Sequence, residues 1–178
     1  MNMIMEKGMA FIDAANINKS AENLGIKIDY KKFLNFIKKY FLEEDPPHSY
    51  SLIRPYYYSA DDKNPKRSHF YDKLREFGYE TRILEIVTTQ NKEKIIQKQK
   101  GVDILLATEM LTFAFRNNYD AAILCSGDQD FLPVLKEIKD LGKRIFVFGF
   151  ESSVAFKLKN EADKFCKLDD YLNDFKLL

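Results

Sequence analysis

The chain has 178 residues, enough to bury most of one compact core without disulfides or a structural metal. Its 28 Lys and Arg balance 27 Asp and Glu, so a formal net charge of +1 argues neither for nor against a nucleic-acid partner. Cys125 and Cys166, the two cysteines, sit in apolar settings with no partner at metal-ligand spacing, and read as reduced core residues. MNMIMEKG lacks the pattern of a signal peptide, and no apolar run approaches the roughly 18 residues of a membrane span. These features point to a soluble, cytoplasmic single domain over residues 1–178.

Gly8 to Asp13 (GMAFID) predicts a buried strand with Asp13 at its carboxyl end and Asn16 in the polar turn that follows. From Asp29, the spacing of Tyr30, Phe33, Leu34, Ile37, Tyr40 and Phe41 predicts an amphipathic helix, stopped by Pro46-Pro47. Tyr50 to Ser59 is rich in aromatic and β-branched residues and reads as a strand whose Pro55 suits an edge or a bulge. A helix from about Pro65 to Phe77 is closed by Gly78, and Tyr79 to Val87 alternates like a strand. Thr88 to Gly101 is polar and lysine-rich and reads as a loop.

Val102, Leu105, Leu106, Met110 and Phe113 make a helical stripe, and Ala121 to Cys125 is a second buried strand that runs into SGDQDF. Phe131 to Leu141 predicts a helix, Lys143 to Phe148 a third apolar strand, Ser152 to Asn160 a helix and Lys164 to Leu168 a last short strand. Strands alternating with helices imply a mostly parallel sheet covered on both faces, with ligands bound at the carboxyl ends of its strands.

That rim collects acids. Asp13 and Asp128 end two strands, Asp130 follows two residues later, and Asp103 stands in the first turn of the helix before the Asp128 strand. Four carboxylates facing one crevice repel one another and hold protons unless a cation is supplied, and Mg²⁺ or Mn²⁺ suits an all-oxygen donor set. Such an ion activates a water and clamps a phosphate oxygen, which is equipment for phosphodiester hydrolysis. Taken singly, each acid also fits a turn former, an N-cap or a favourable charge at a helix start.

Taken together, FIDAAN, KGVD and SGDQDF occur in order and in the matching context, and the chain resembles the NYN family of PIN-like nucleases over about residues 8 to 168. The resemblance implies a three-layer α/β/α sandwich with strand order 3-2-1-4-5 and metal-dependent ribonuclease activity. It assigns metal binding to Asp13, Asp103, Asp128 and Asp130, and substrate or water positioning to Asn16. Ala14-Ala15 departs from the glycine that relatives commonly carry, and alanine fits there only with negative φ. Similar proteins often have an acid at Glu109, but six positions beyond Asp103 is about 120° around the helix, so Glu109 is a secondary candidate.

Ser126 can bond a phosphate, an acid or the local backbone. Lys63, Lys66 and Arg67 beside His69, Phe70 and Tyr71, with Lys92, Lys94, Lys98 and Lys100, can form a basic rim for RNA, with Lys100 the leading phosphate contact. A solvated surface explains the same lysines equally well. Haloacid-dehalogenase-type phosphatases share the first-strand aspartate, but Ala15 stands where their second acid belongs. No glycine-rich turn supports dinucleotide binding. The rival that stays open is a catalytically silent RNA-binding or regulatory module, with dimerisation through the aromatic strand at Tyr56 to Tyr58.

Overall fold

The computed structural model describes residues 5–43, 49–61, 64–85, 87–91, 94–98 and 101–177. In chain order, β1 (Met5–Asp13) leads without a loop into α1 (Ala14–Asn23), followed by α2 (Tyr30–Glu43), β2 (Ser49–Asp61), α3 (Pro65–Phe77) and β3 (Glu80–Glu85). A hairpin of β4 (Val87–Asn91) and β5 (Lys94–Lys98) precedes α4 (Val102–Phe115), β6 (Ala121–Cys125) and α5 (Leu132–Asp140). Last come β7 (Arg144–Gly149), α6 (Phe156–Glu161), β8 (Lys164–Lys167) and α7 (Leu172–Phe175).

Six strands form one parallel sheet in the order β3-β2-β1-β6-β7-β8. This is the expected order, extended by the last short strand. The period-two alternation of the strands divides the interior into two cores. Ala10 and Ile12 of β1, Ile123 and Cys125 of β6, and Phe146 and Phe148 of β7 face the aromatic layer of α1, α2 and α7. Phe11, Leu124, Ile145 and Val147 face the opposite layer of α4, α5 and α6. Both sheet faces are therefore dry, which is why these strands read as continuous apolar runs.

Several expectations are corrected. Residues Ala14 to Asn23 form a helix rather than a turn, with Ala14, Ile17 and Ala21 buried on one stripe. Thr88 to Gly101 contains the β4–β5 hairpin, which pairs Val87 with Lys98; its β-branched Val87, Thr88, Thr89, Ile95 and Ile96 outweigh the polar composition. The helix expected from Ser152 begins only at Phe156. Pro55 stands beside a bulge, as expected: the register with β1 shifts between Leu52 and Arg54, and β3 pairing begins only at Tyr56. Tyr56, Tyr57 and Tyr58, expected as a dimer contact, are 7%, 2% and 0% exposed and lie in the interior. As expected, both cysteines are buried and neither is in a disulfide. Pro46-Pro47, expected to stop α2, lies outside the described residues.

Gly8 shows how tightly the aromatic layer closes on β1. A Cβ built there would lie 1.9 Å from the Phe41 ring. Phe41 stacks on Tyr50 at 5.1 Å and meets Phe146 edge-on at 5.2 Å, so it cannot swing away. Gly8→Ala should destabilise the protein by about 1–3 kcal/mol, as overpacked cores do. Adding Phe41→Leu should cost less in that background than alone, and a double-mutant cycle from chemical denaturation checks the coupling.

Candidate functional site

The order of the sheet reverses between β1 and β6, and at such a switch point the crevice beyond the carboxyl ends is open to a ligand. Asp13 closes β1 and at the same time caps α1, accepting the Asn16 backbone N–H at 3.2 Å through Oδ1. Its Oδ2 accepts the Ser126 hydroxyl at 2.9 Å, across from the neighbouring strand. The side chain is 4% exposed.

Ser126 is fully buried, and its oxygen also accepts the Asp128 backbone N–H at 3.2 Å. The hydroxyl is therefore committed to an acid and to the local turn, and is not presented to a phosphate. Asn16 is similarly placed: its side-chain carbonyl accepts the Gly127 N–H at 2.9 Å and ties α1 to the SGD turn. Gly127 is packed against the chain entering α6. A Cβ there would come within 2.5 Å of the Ser153 carbonyl oxygen, and the Gly127 carbonyl accepts the Ala155 N–H.

Asp128 caps the next turn by accepting the Asp130 N–H at 2.9 Å, which leaves Asp130 exposed in that first turn. Asp103 is exposed in the first turn of α4, after Gly101 at φ 113°, a left-handed conformation that favours glycine. Asn117 is the one described non-glycine residue with positive φ, so Ala14 and Ala15 meet the negative-φ condition.

The electrostatics link these acids. Burial raises the Asp13 pKa, the Asn16 amide and Ser126 hydroxyl oppose the rise, and the charges of Asp103 and Asp128 add to it. Burial also raises the Asp103 pKa, with Asp128 and Asp130 as further causes. Among the described residues, no three His, Cys, Asp or Glu side chains are grouped closely enough to form a ready-made metal cage. The hard, all-carboxylate donor set nevertheless fits Mg²⁺ or Mn²⁺, which retain waters and take few protein ligands.

Glu109 is engaged elsewhere. It accepts the Tyr58 hydroxyl at 2.6 Å and the Arg82 guanidinium at 2.9 and 3.1 Å, while Arg82 lies over the Tyr56 ring. Of the expected basic rim, Lys66, Arg67 and His69 are exposed on α3, with Phe70 37% exposed beside them. Lys63, Lys92 and Lys100 lie outside the described residues, as do the side chains of Lys94 and Lys98. A cleft of about 350 Å³ adjoins Asp103, walled by α1, the end of β2 and α3. Its α1 wall escapes a reading that treats Ala14 onward as a turn, although the i, i+3, i+7 spacing of Ala14, Ile17, Ala21 carries the signal.

The chain matches the family described as NYN domain over residues 7–169. The Low amplitude and bright protein LabA of Synechococcus elongatus is 26% identical over 163 residues, 90% of this chain and 82% of that protein. An uncharacterized protein of Methanocaldococcus jannaschii is 30% identical over 89 residues; the match takes in 50% of this chain and 37% of that protein's length. A crystal structure of a protein of unknown function from Vibrio parahaemolyticus shares the fold, with a TM-score of 0.77, 22% identity and 99% of each chain covered.

The raised carboxyls set the sign of a pH effect. Below about pH 4 both acids hold their protons folded or unfolded; above it the unfolded chain ionises first, so the metal-free fold loses stability as pH rises toward the raised values. Asp103→Asn removes one of these groups. Its melting temperature relative to the wild type should climb as pH rises from about 4 and then level off, and thermal melts in chelator check this.

Proposed function

Because the chain belongs to the NYN domain family, we propose that it is a metal-dependent ribonuclease whose phosphodiester chemistry takes place at Asp13, Asp103, Asp128 and Asp130. The observation that carries this reading is that three separate segments bring acids to one switch point, Asp13 at the end of β1, Asp103 in the first turn of α4, and Asp128 and Asp130 after β6, near enough that their charges add to the burial that raises Asp13 and Asp103. Folding contacts must offset this repulsion in the absence of a cation, which a purely structural role gives no reason to maintain.

These four residues would hold Mg²⁺ or Mn²⁺, which when bound supplies an activated water and neutralises phosphate charge. Asp13 is the fixed member, immobilised by Ser126 and by the first turn of α1. Asp103 and Asp130, being exposed, have the rotamer freedom to close on an ion. Asn16 spends its amide oxygen on Gly127, so the amide nitrogen is the end that donates to a water or a phosphate oxygen. Lys100, next to the Gly101 turn, supplies positive charge to the RNA backbone.

A catalytically silent RNA-binding or regulatory module is the second reading, favoured by the lack of a ready-made cage among the described residues. One substitution separates the two. Asp128→Asn should leave the metal-free melting temperature unchanged or raised, and should shrink the stabilisation that Mg²⁺ or Mn²⁺ gives. Cleavage of single-stranded RNA should drop by at least about 100-fold, the upper end of what outer-shell changes cost metal sites. A mutant that cuts at the wild-type rate with an unaltered metal-induced shift refutes the assignment, and a wild type that binds RNA without cutting it in either metal favours the silent module.

Lys100→Ala tests the substrate contact separately. It should weaken RNA binding and lower the slope of log affinity against log salt by roughly 0.7, the value of one released counterion on a single strand. An unchanged slope in a salt titration returns Lys100 to the solvated surface.

A further inference from the structure

The cleft beside Asp103 has a size and lining that the metal chemistry does not use. At about 350 Å³ it lies at the small end of ligand pockets, which run from about 300 to 1,000 Å³, and so is suited to a single planar group. Phe70 opens into it with 37% of its surface exposed. The ring does not float: Tyr30 and Tyr57 meet it edge-on at 5.9 and 6.1 Å, and Tyr71 lies at 5.8 Å. An aromatic face held this way is already ordered before a ligand stacks on it.

The remaining walls are polar. Asn18 on α1 accepts the Tyr30 hydroxyl at 3.0 Å through its amide oxygen, which orients the amide, and Glu22 one turn further on presents a carboxylate. Burial pushes the Tyr57 phenol up to about 12, so it stays protonated. A hydroxyl, an oriented amide and a carboxylate around an aromatic face match the mixed donors and acceptors of a nucleobase edge. At the rim, Arg67 is half exposed and lies 3.9 Å from Asp61, which places a cation where a phosphate backbone would pass. Asp103 belongs both to this cleft and to the repelling group of acids, so an occupant of the cleft is continuous with the proposed cleavage site.

We propose that this cleft receives one unstacked nucleobase of the RNA substrate, with Phe70 as its stacking platform, and thereby restricts cleavage to unpaired RNA. The proposal rests on the reading of the aspartates as a cleavage site. A base inside a duplex keeps both faces stacked and cannot enter, whereas a single strand can offer one at little cost.

The test is the affinity for a fluorescent single-stranded oligoribonucleotide of mixed sequence, measured by anisotropy in the Asp128→Asn background so that cleavage does not intervene. Phe70→Ala should weaken binding by roughly 5- to 100-fold, the worth of one base–aromatic stack, while Phe70→Trp retains it. Because Phe70 also packs on Tyr30 and Tyr57, a second variant fills the cleft from an exposed position: Ala15→Phe should weaken binding to a similar degree without touching the core. Affinity for a fully paired RNA of equal length should be the same in all of them. Unchanged single-strand affinity in Phe70→Ala and Ala15→Phe overturns the pocket, and if Phe70→Ala fails to fold, Ala15→Phe decides alone. Wild-type cleavage of the same oligonucleotide with Mn²⁺ is scored separately: binding that depends on Phe70 without cleavage sinks the nuclease reading and spares the pocket, and cleavage that is indifferent to both variants does the reverse.

Discussion

One hydroxyl holds two strands' worth of acid in place. Ser126 donates to Asp13 and accepts from the Asp128 backbone, so the end of β1 and the turn after β6 share a single buried oxygen. The second tie runs the other way, from the Gly127 amide to the Asn16 side chain. Both bonds are satisfied inside the protein, and each would be expensive to leave unmade in a site this dry. Together they fix the spacing between two carboxylates that repel, which is work the apolar core alone cannot do.

The core sets up that geometry from below. Because every strand of the sheet is covered on both faces, the side-chain alternation leaves little freedom of register, and a slip of one residue would move Ile12 and Phe11 into each other's layer. Ile12 pairs with Cys125, so Asp13 and Ser126 are each the next residue along adjacent parallel strands. The contact between them follows from register rather than from loop conformation. Gly127 then lets the α6 approach close over the turn, at a distance no Cβ would tolerate.

Much of this was legible. The apolar runs ending in FID and ILCSGD announce parallel strands with acids on one rim, and the strand order is what the family resemblance implies. What escaped has physical causes. Helix α1 begins directly after the strand's last residue, so its N-cap, Asp13, reads equally as the acid that ends the strand, and its buried stripe includes small side chains such as Ala14 and Ala21. The β4–β5 hairpin is hidden by the lysines and other polar residues set among its β-branched positions. Glu109 and Ser126 could not be placed from spacing, because their partners, Arg82 with Tyr58 and Asp13, are far away in the chain. The triple tyrosine looks like an adhesive edge in one dimension and is interior in three.

The direct passage from β1 into α1 has a mechanical consequence. Asp13 ends an interior strand, paired with Tyr58 of β2 and following Ile12, which is paired on both sides, so displacing its backbone means opening the sheet beside it. Asp103 and Asp130 ride on first turns at the surface, where a side chain turns within nanoseconds. The proposed site would thus pair an anvil with adjustable jaws: an ion held there would find one fixed oxygen pair as its reference point, and accommodation to its size and charge would fall to the acids on the rim.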